Sequence, residues 1–427
     1  FPCINSFVET QTVGQEQEKC QKMYHWRGGL IHGYAVKCRN LTEVPSNLPT
    51  ISRIINMGGN LITELCNGTF AKLKNLQALD LTGNRISRIQ KSAFRGLDKL
   101  QMLYLGENLL SIDNLDESLF SVVPQYMPSL RYLELHRMNF PLRPHSLEPL
   151  RGLSLYRVDF DYNEDSCNWP DGVLAGLFVH ELSIGNCKCE VINSKAFTNF
   201  TLKALVANNN RLRSIPDFAR FEETLSFRRT LVKLHLAKNN IFQLDRSDFA
   251  HFDSLEFLDL SGNDIKQSIM LDIVPSLQDL DLSDNEIDGV ETPTFNSTWN
   301  LTTLDLSRNP IFMLFDNGIF RTAINIESLY LGDSYFFVEE LFKNITNLRI
   351  LSIDRFNQHF IRVKPTTFPV DAFEGSNRLE EIHLTNLDII TLNEESFVRL
   401  ESLKELYLGN NQITSVNSSS LAVRQLL

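Results

Sequence analysis

LEFLDLSGNDI at 255–265 is followed by LQDLDLSDNEI at 277–287 and LTTLDLSRNPI at 301–311. Each phrase has Leu at positions 1, 4 and 6, Asn at position 9 and Ile at position 11. Positions 4 and 6 share the period of a strand and point to one side, while positions 3 and 5 point to the other. An Asn side chain donates and accepts at once, which suits a turn whose backbone groups are shut away from water. Recurrence at about 25 residues falls in the range of stacked coils, where each coil covers its apolar edge with the next.

Outward from this stretch the phrase L-x-x-L-x-L-x-x-N-x-L is traced fifteen times, starting at 52, 76, 100, 130, 150, 179, 202, 231, 255, 277, 301, 326, 348, 379 and 403. Positions 1, 4 and 6 are predicted to face inward, and 2, 3, 5, 7 and 8 outward. Nine repeats keep the Asn, from Asn60, Asn84 and Asn108 to Asn411. Phe70, Phe94, Phe197, Phe249, Phe295 and Phe397 recur near position 19 and predict an aromatic spine along the opposite side. The expected fold is α/β, a horseshoe solenoid with a parallel concave sheet and a disulfide-bonded N-terminal cap. Its domains are read as a cap at 1–50 and an array at 51–427.

The 427 residues carry a formal charge of −11 and no apolar run long enough to cross a bilayer. Phe1 opens the numbering without a Met or an apolar leader, as a processed secreted chain does. Asn40, Asn67, Asn199, Asn296, Asn300, Asn344 and Asn417 stand in N-x-S/T acceptor sites and predict an extracellular glycoprotein. None falls at positions 1 to 8 of a traced repeat, so glycans are expected to leave the concave sheet bare.

The cysteines number seven, so at least one is a thiol or pairs elsewhere. Cys20 and Cys38 are expected to tie the ends of a hairpin that turns near Gly28 and Gly29. Either Cys187 or Cys189 can reach Cys167, and the sequence leaves both pairings open. Cys187-x-Cys189 lacks the further ligands that a zinc site needs.

Departures from the phrase mark where a uniform scaffold is shaped for use. Position 9 is lost as Met138, Val158 and Cys187, and again as Ser334, Phe356 and Leu387. The local coil must differ there. Longer segments at 161–178, 216–230 and 357–378 are expected to project. Outward positions of repeats three to five present Tyr104, Arg131, Tyr132, Glu134, His136, Arg137, Arg151, Tyr156 and Arg157. From these the candidate ligand-binding set is Tyr104, Arg131, Tyr132, His136, Arg137, Tyr156 and Arg157, a composition common at interface anchors. Repeats nine to eleven present Glu256, Asp259, Asp279, Asp281, Asp284 and Asp305 against Arg308, so the face is expected to be divided in charge. That acidic set also fits a ladder that only keeps a sheet soluble.

Net acidity argues against nucleic acid, despite a basic run between Arg211 and Lys238. His136, His180, His235 and His383 lie at outward positions, where protonation adds positive charge in an acidic compartment. No catalytic motif, cofactor loop or metal-ligand cluster is present in the sequence.

The segment KCRNLTEVPSNLP at 37–49, the LDLSxNxI phrases, the FxxL spine and the dispersed sequons together resemble the ectodomain of a Toll-like receptor, over the whole chain. Matrix and adhesion proteins built of leucine-rich repeats share the repeat and a similar cap, and form the alternative. The receptor resemblance implies a pattern-recognition role, in which a protein or microbial ligand bridges two chains. It also implies a homodimer or heterodimer and a site outside the cell membrane or in the endosomal lumen. A C-terminal cap, transmembrane helix and signalling domain would lie beyond Leu427. No cofactor is implied.

Overall fold

A computed structural model describes residues 19–23, 33–266, 274–290, 299–311, 313–314, 320, 324–332, 342, 345–354, 373–392, 397 and 400–414. Contacts group the chain into two compact units, 1–207 with 221–227, and 208–220 with 228–427.

In the first unit, strands Ala35–Cys38, Ile54–Asn56, Ala78–Asp80, Met102–Tyr104, Tyr132–Glu134, Ser154–Asp159, Phe178–Ser183 and Thr201–Val206 lie parallel in that order. The strand Cys20–Lys22 pairs antiparallel with Ala35–Cys38 at the edge, and Cys20 is bonded to Cys38, which lies opposite it. Ala35–Cys38 is already in register with Ile54–Asn56. The sheet therefore begins inside the segment read as a cap, with a coil starting at Gly33. The expected turn at Gly28 and Gly29 lies outside the described residues.

The position-9 asparagines act as rungs. Asn84 donates Nδ2 to the carbonyls of Met57 and Leu81, each at 2.9 Å, and accepts the Ile62 amide at 3.1 Å. Asn60 and Asn108 make the same pattern, so each rung satisfies backbone groups of two adjacent coils. Position 8, just before the rung, is left-handed in all thirteen described repeats, with φ between 52° and 69°. Glycine fills it only at Gly59, Gly83 and Gly262; Tyr162 and Arg137 hold a conformation that costs a bulky side chain energy.

Repeat five differs from its sequence reading. Val158 pairs with Leu133 and Asp159 with Glu134, so the repeat starts at Leu155, not Leu150. Its rung is Asn163, 1% exposed, which donates to Leu135 O and Phe160 O at 2.9 Å and accepts the Met138 and Asn139 amides at 2.7 Å. Val158 replaces no asparagine. Residues 161–178 do not project either: Trp169, Val173 and Leu174 are buried in an ordinary coil. Arg151 moves off the strand; its Nε donates to Ala175 O and its head group pairs with Glu148.

Where the rung really is absent, the turn changes. Position 10 joins position 8 in the left-handed region at Asn139, Lys188 and Asp388, the residues that follow Met138, Cys187 and Leu387. With no amide to hold the carbonyls of the turn, the backbone winds one residue further. In two of these coils the position-9 amide itself reaches the next rung, Met138 to Asn163 and Leu387 to Asn411. Ser334 and Phe356 lie outside the described residues.

Cys187 takes the rung position with sulfur. Its thiol donates to Gly185 O at 3.2 Å and lies 3.5 Å from Phe160 O, while Cys189 is the residue bonded to Cys167. Burial pushes the Cys187 thiol up to about 11. At pH 8 about one molecule in a thousand would carry the thiolate. Iodoacetamide at that pH should therefore modify Cys187 only after denaturation, as peptide mass spectrometry can check; rapid labelling of the folded chain would contradict the buried rung.

On the other side, Phe70 stacks on Phe94 at 6.1 Å, and Phe197 meets Phe227 at 5.0 Å. Phe227 is buried within the stretch 216–230 that was expected to project.

The second unit carries parallel strands Lys233–His235, Phe257–Asp259, Asp279–Asp281, Thr303–Asp305, Ser328–Tyr330, Ile350–Ser352, Glu381–His383 and Glu405–Tyr407. Asn263, Asn285 and Asn309 are its regular rungs. Its spine includes Phe249, 1% exposed, and Phe342, Phe373 and Phe397 in series at 6.1 and 5.9 Å. Phe218, also from 216–230, is buried here. Phe295 and most of 357–378 lie outside the described residues.

Candidate ligand-binding face

The sheet of the first unit widens where its aromatics gather. Strands at 154–159, 178–183 and 201–206 are six residues long, against three on the preceding strands from 54 to 134. Pairing of Ser154, Phe178 and Thr201 adds the extra width. Tyr132, Tyr156 and His180 occupy outward positions on three successive strands. Tyr156 stacks on His180 at 4.6 Å and 10°, and tilts against Tyr132 at 5.2 Å. The rings thus spend their faces on one another and turn their edges and polar tips outward. Tyr156 is 43% exposed and Phe178 46%. Burial, with Tyr156 and Glu181 nearby, pushes the Tyr132 phenol above its ordinary value, so it stays a donor.

Arginines and carboxylates interleave around this ladder. Arg157 binds Glu181 at 2.5 Å and Asp159 at 3.0 Å. Arg137 lies 3.4 Å from Glu107 and places its guanidinium 4.3 Å from the Tyr162 ring centre. His136 is held by Glu134 at 2.8 Å, with Glu107 at 3.6 Å. Arg131 donates to Ser154 O at 2.8 Å. The basic and aromatic group is therefore charge-compensated, by Glu134 and Asp159 within their own repeats and by Glu107 and Glu181 from neighbouring strands. Tyr104 has a packing role. With Met23 and Tyr132 it covers an apolar stripe of Ala35, Ile54, Ala78 and Met102, so position 3 is buried in these coils.

The hydrogen bond that His136 donates to Glu134 raises the His136 pKa above the ordinary imidazole value, against the effect of burial. A raised folded value means that this contact adds stability fully below the unfolded pKa and loses it as pH rises through the folded one. Replacing Glu134 with Gln should move the His136 titration, followed by its ring proton shifts, to lower pH. An unmoved midpoint would assign the shift elsewhere.

In the second unit Asp259, Asp281 and Asp305 stand opposite one another. Each accepts the backbone amide two residues on, at Ser261, Ser283 and Ser307. This recurring turn accounts for position 5 without a ligand. Burial raises the Asp281 carboxyl, and the neighbouring Asp305 and Asp259 add to it. The basic run from 211 to 238 is also not a free patch: Arg228 is 3% exposed, Arg220 pairs with Asp217 and Arg229 with Asp253.

Asn67 and Asn199 are exposed on the coils' outer parts, and Asn300 is exposed just before a strand. Asn40 is exposed at position 8 of the coil that starts at Gly33, with φ 56°, so one acceptor site does sit at the rim of the open face. Asn296, Asn344 and Asn417 lie outside the described residues. Sequence reasoning missed Phe178, Glu181 and Tyr162 as members of this face; the register of repeat five would have supplied Tyr162. No described helix is long and apolar enough to cross a membrane.

A model described as "Leucine rich repeat" matches residues 53–110 and 363–422, and one described as "BspA type Leucine rich repeat region (6 copies)" matches 223–349. Mouse podocan is 24% identical over 398 residues, covering 91% of this chain and 56% of podocan. Mouse Toll-like receptor 7 is 24% identical over 505 residues, covering 87% of this chain and 47% of the receptor. The chain thus spans about half the length of both. Among solved structures, the mouse RP105/MD-1 complex matches at TM-score 0.67 and 18% identity, over 88% of this chain and 62% of that one. The Drosophila Toll–Spatzle complex matches at 0.60 and 20%, over 86% and 45%. With the stacked parallel strands and asparagine rungs, these matches show that the chain belongs to the leucine-rich repeat proteins.

Proposed function

We propose that the chain is the ligand-binding part of an extracellular receptor of Toll-like type, which recognises a polypeptide on the widened face of repeats four to six and signals by pairing of two receptor chains. The ladder Tyr132–Tyr156–His180 carries this reading. The facing sides of its rings are taken up by one another, and its arginines already have carboxylate or carbonyl partners. What the ladder offers is a row of phenol and imidazole tips beside the exposed edge of Phe178, a mixture suited to a protein surface. RP105 solved with MD-1 and Toll solved with Spatzle support partner binding on this fold.

A matrix role is the second reading, favoured by the likeness to podocan across 91% of the chain. The coding sequence downstream of Leu427 separates the two: a membrane span followed by a cytoplasmic signalling domain supports the receptor. For the site, binders selected from a displayed library of extracellular proteins should lose tenfold or more in affinity on Tyr156→Ala and none on Asp281→Asn. Equal affinities for wild type and Tyr156→Ala would refute the choice of face.

A further inference from the structure

The residues just before four successive strand phrases of the second unit, those starting at 301, 326, 348 and 379, form another ladder, on the edge away from the rungs. Asn300 Nδ2 donates to Pro275 O at 2.9 Å, Asn325 Nδ2 to Trp299 O at 2.7 Å and Asn347 Nδ2 to Ile324 O at 3.1 Å. Arg378 continues it by donating to Asn347 Oδ1 at 2.8 Å. These bonds fix the backbone of Pro275, Trp299 and Ile324 in successive coils. Yet Trp299 is 61% exposed and Ile324 48%, and Pro275 is exposed beside them. Single apolar residues on a surface are ordinary; three in line on a fixed backbone mark a surface meant to be covered.

Asn300 belongs to this stripe. It is exposed, follows Trp299 directly, and opens the acceptor site Asn300-Leu301-Thr302. Its amide points back toward Pro275, so a sugar bonded to Nδ2 would begin between Pro275 and Trp299. We infer that the stripe is covered by this chain's own N-glycan: the first N-acetylglucosamine units on Asn300 lay an apolar ring face over Trp299 and Ile324. In the transfer, C1 of the oligosaccharide leaves a lipid pyrophosphate, which departs with the bonding electrons, and bonds to Nδ2. One amide proton is lost to base, and the remaining N–H keeps the bond to Pro275 O. Glycans are bulky and solubilising, and here one would also finish an exposed edge.

Thr302→Ala removes the acceptor sequence and gives up the 3.1 Å bond from Thr302 Oγ1 to Gln278 O, but leaves Asn300 and its bond to Pro275 O in place; Thr302→Ser, which keeps the acceptor sequence, is the control. Wild type and variant would be secreted from glycosylating cells and compared by glycopeptide mass spectrometry, hydroxyl-radical footprinting and sedimentation. Expected are a glycan on Asn300 in wild type, several-fold faster oxidation of Trp299 in the variant, and self-association of the variant at high concentration. An unmodified Asn300 would overturn the inference, as would equal oxidation of Trp299 in both proteins. Protection of Trp299 that vanishes on dilution would overturn it too, because a second copy would then be the cover.

Discussion

Asn163→Ala should lower the stability of the first unit by about 4 kcal/mol, from four net hydrogen bonds at about 1 kcal/mol each, with more lost where the backbone groups stay buried and unpaired. The side chain is 1% exposed and serves the carbonyls of Leu135 and Phe160 and the amides of Met138 and Asn139. Three of those four groups, Leu135 O and the Met138 and Asn139 amides, belong to repeat four, which has no rung of its own. The loss should therefore spread to the coil before it. Denaturant unfolding of the variant measures the change. If repeat five began at Leu150, Asn163 would sit on a projecting segment, and its removal would cost well under 1 kcal/mol.

Removing the Cys167–Cys189 bond should cost about 3 kcal/mol by the chain-entropy account, for a loop whose ends are 22 residues apart. The bond ties repeat five to repeat six just where the rung of repeat six is a thiol. A thiol donates weakly compared with an amide, so this coil leans on the covalent link more than its neighbours do. The double variant Cys167→Ala with Cys189→Ala should unfold at lower denaturant and expose Cys187 to alkylation early in the transition. A midpoint unchanged from wild type would mean that the sulfur rung and packing suffice.

Most of the architecture was legible because it rests on one repeated phrase. Leu258, Leu280 and Leu304 stand in one register, as their common position 4 predicts, and the rungs Asn60, Asn84 and Asn108 behave alike. Repeat five misled because Leu150, Leu153 and Leu155 imitate positions 1, 4 and 6, while the true strand uses Leu155, Val158 and Phe160. Inward positions accept any apolar side chain of suitable size, so leucine count is a weaker guide than the rung. Rung spacing would have found Asn163, which lies 25 residues after Met138 and 24 before Cys187.

The candidate face was only half legible for a different reason. Tyr132, Tyr156, His136 and Arg137 are on outward positions in the phrase and in the structure. Their electrostatics are not a property of the phrase. Arg157 meets Glu181, and Arg137 meets Glu107, across strands 24 and 30 residues apart in sequence. Tyr104 likewise looked free on its own strand, but the adjoining coils supply the stripe it packs on.

The central claim is that recognition uses the widened face of the first unit, and amide hydrogen exchange with and without a saturating selected binder tests it most directly. Protection confined to 131–137, 154–162 and 178–183 is the predicted result. Protection at 255–309, with those three segments unchanged, would contradict it.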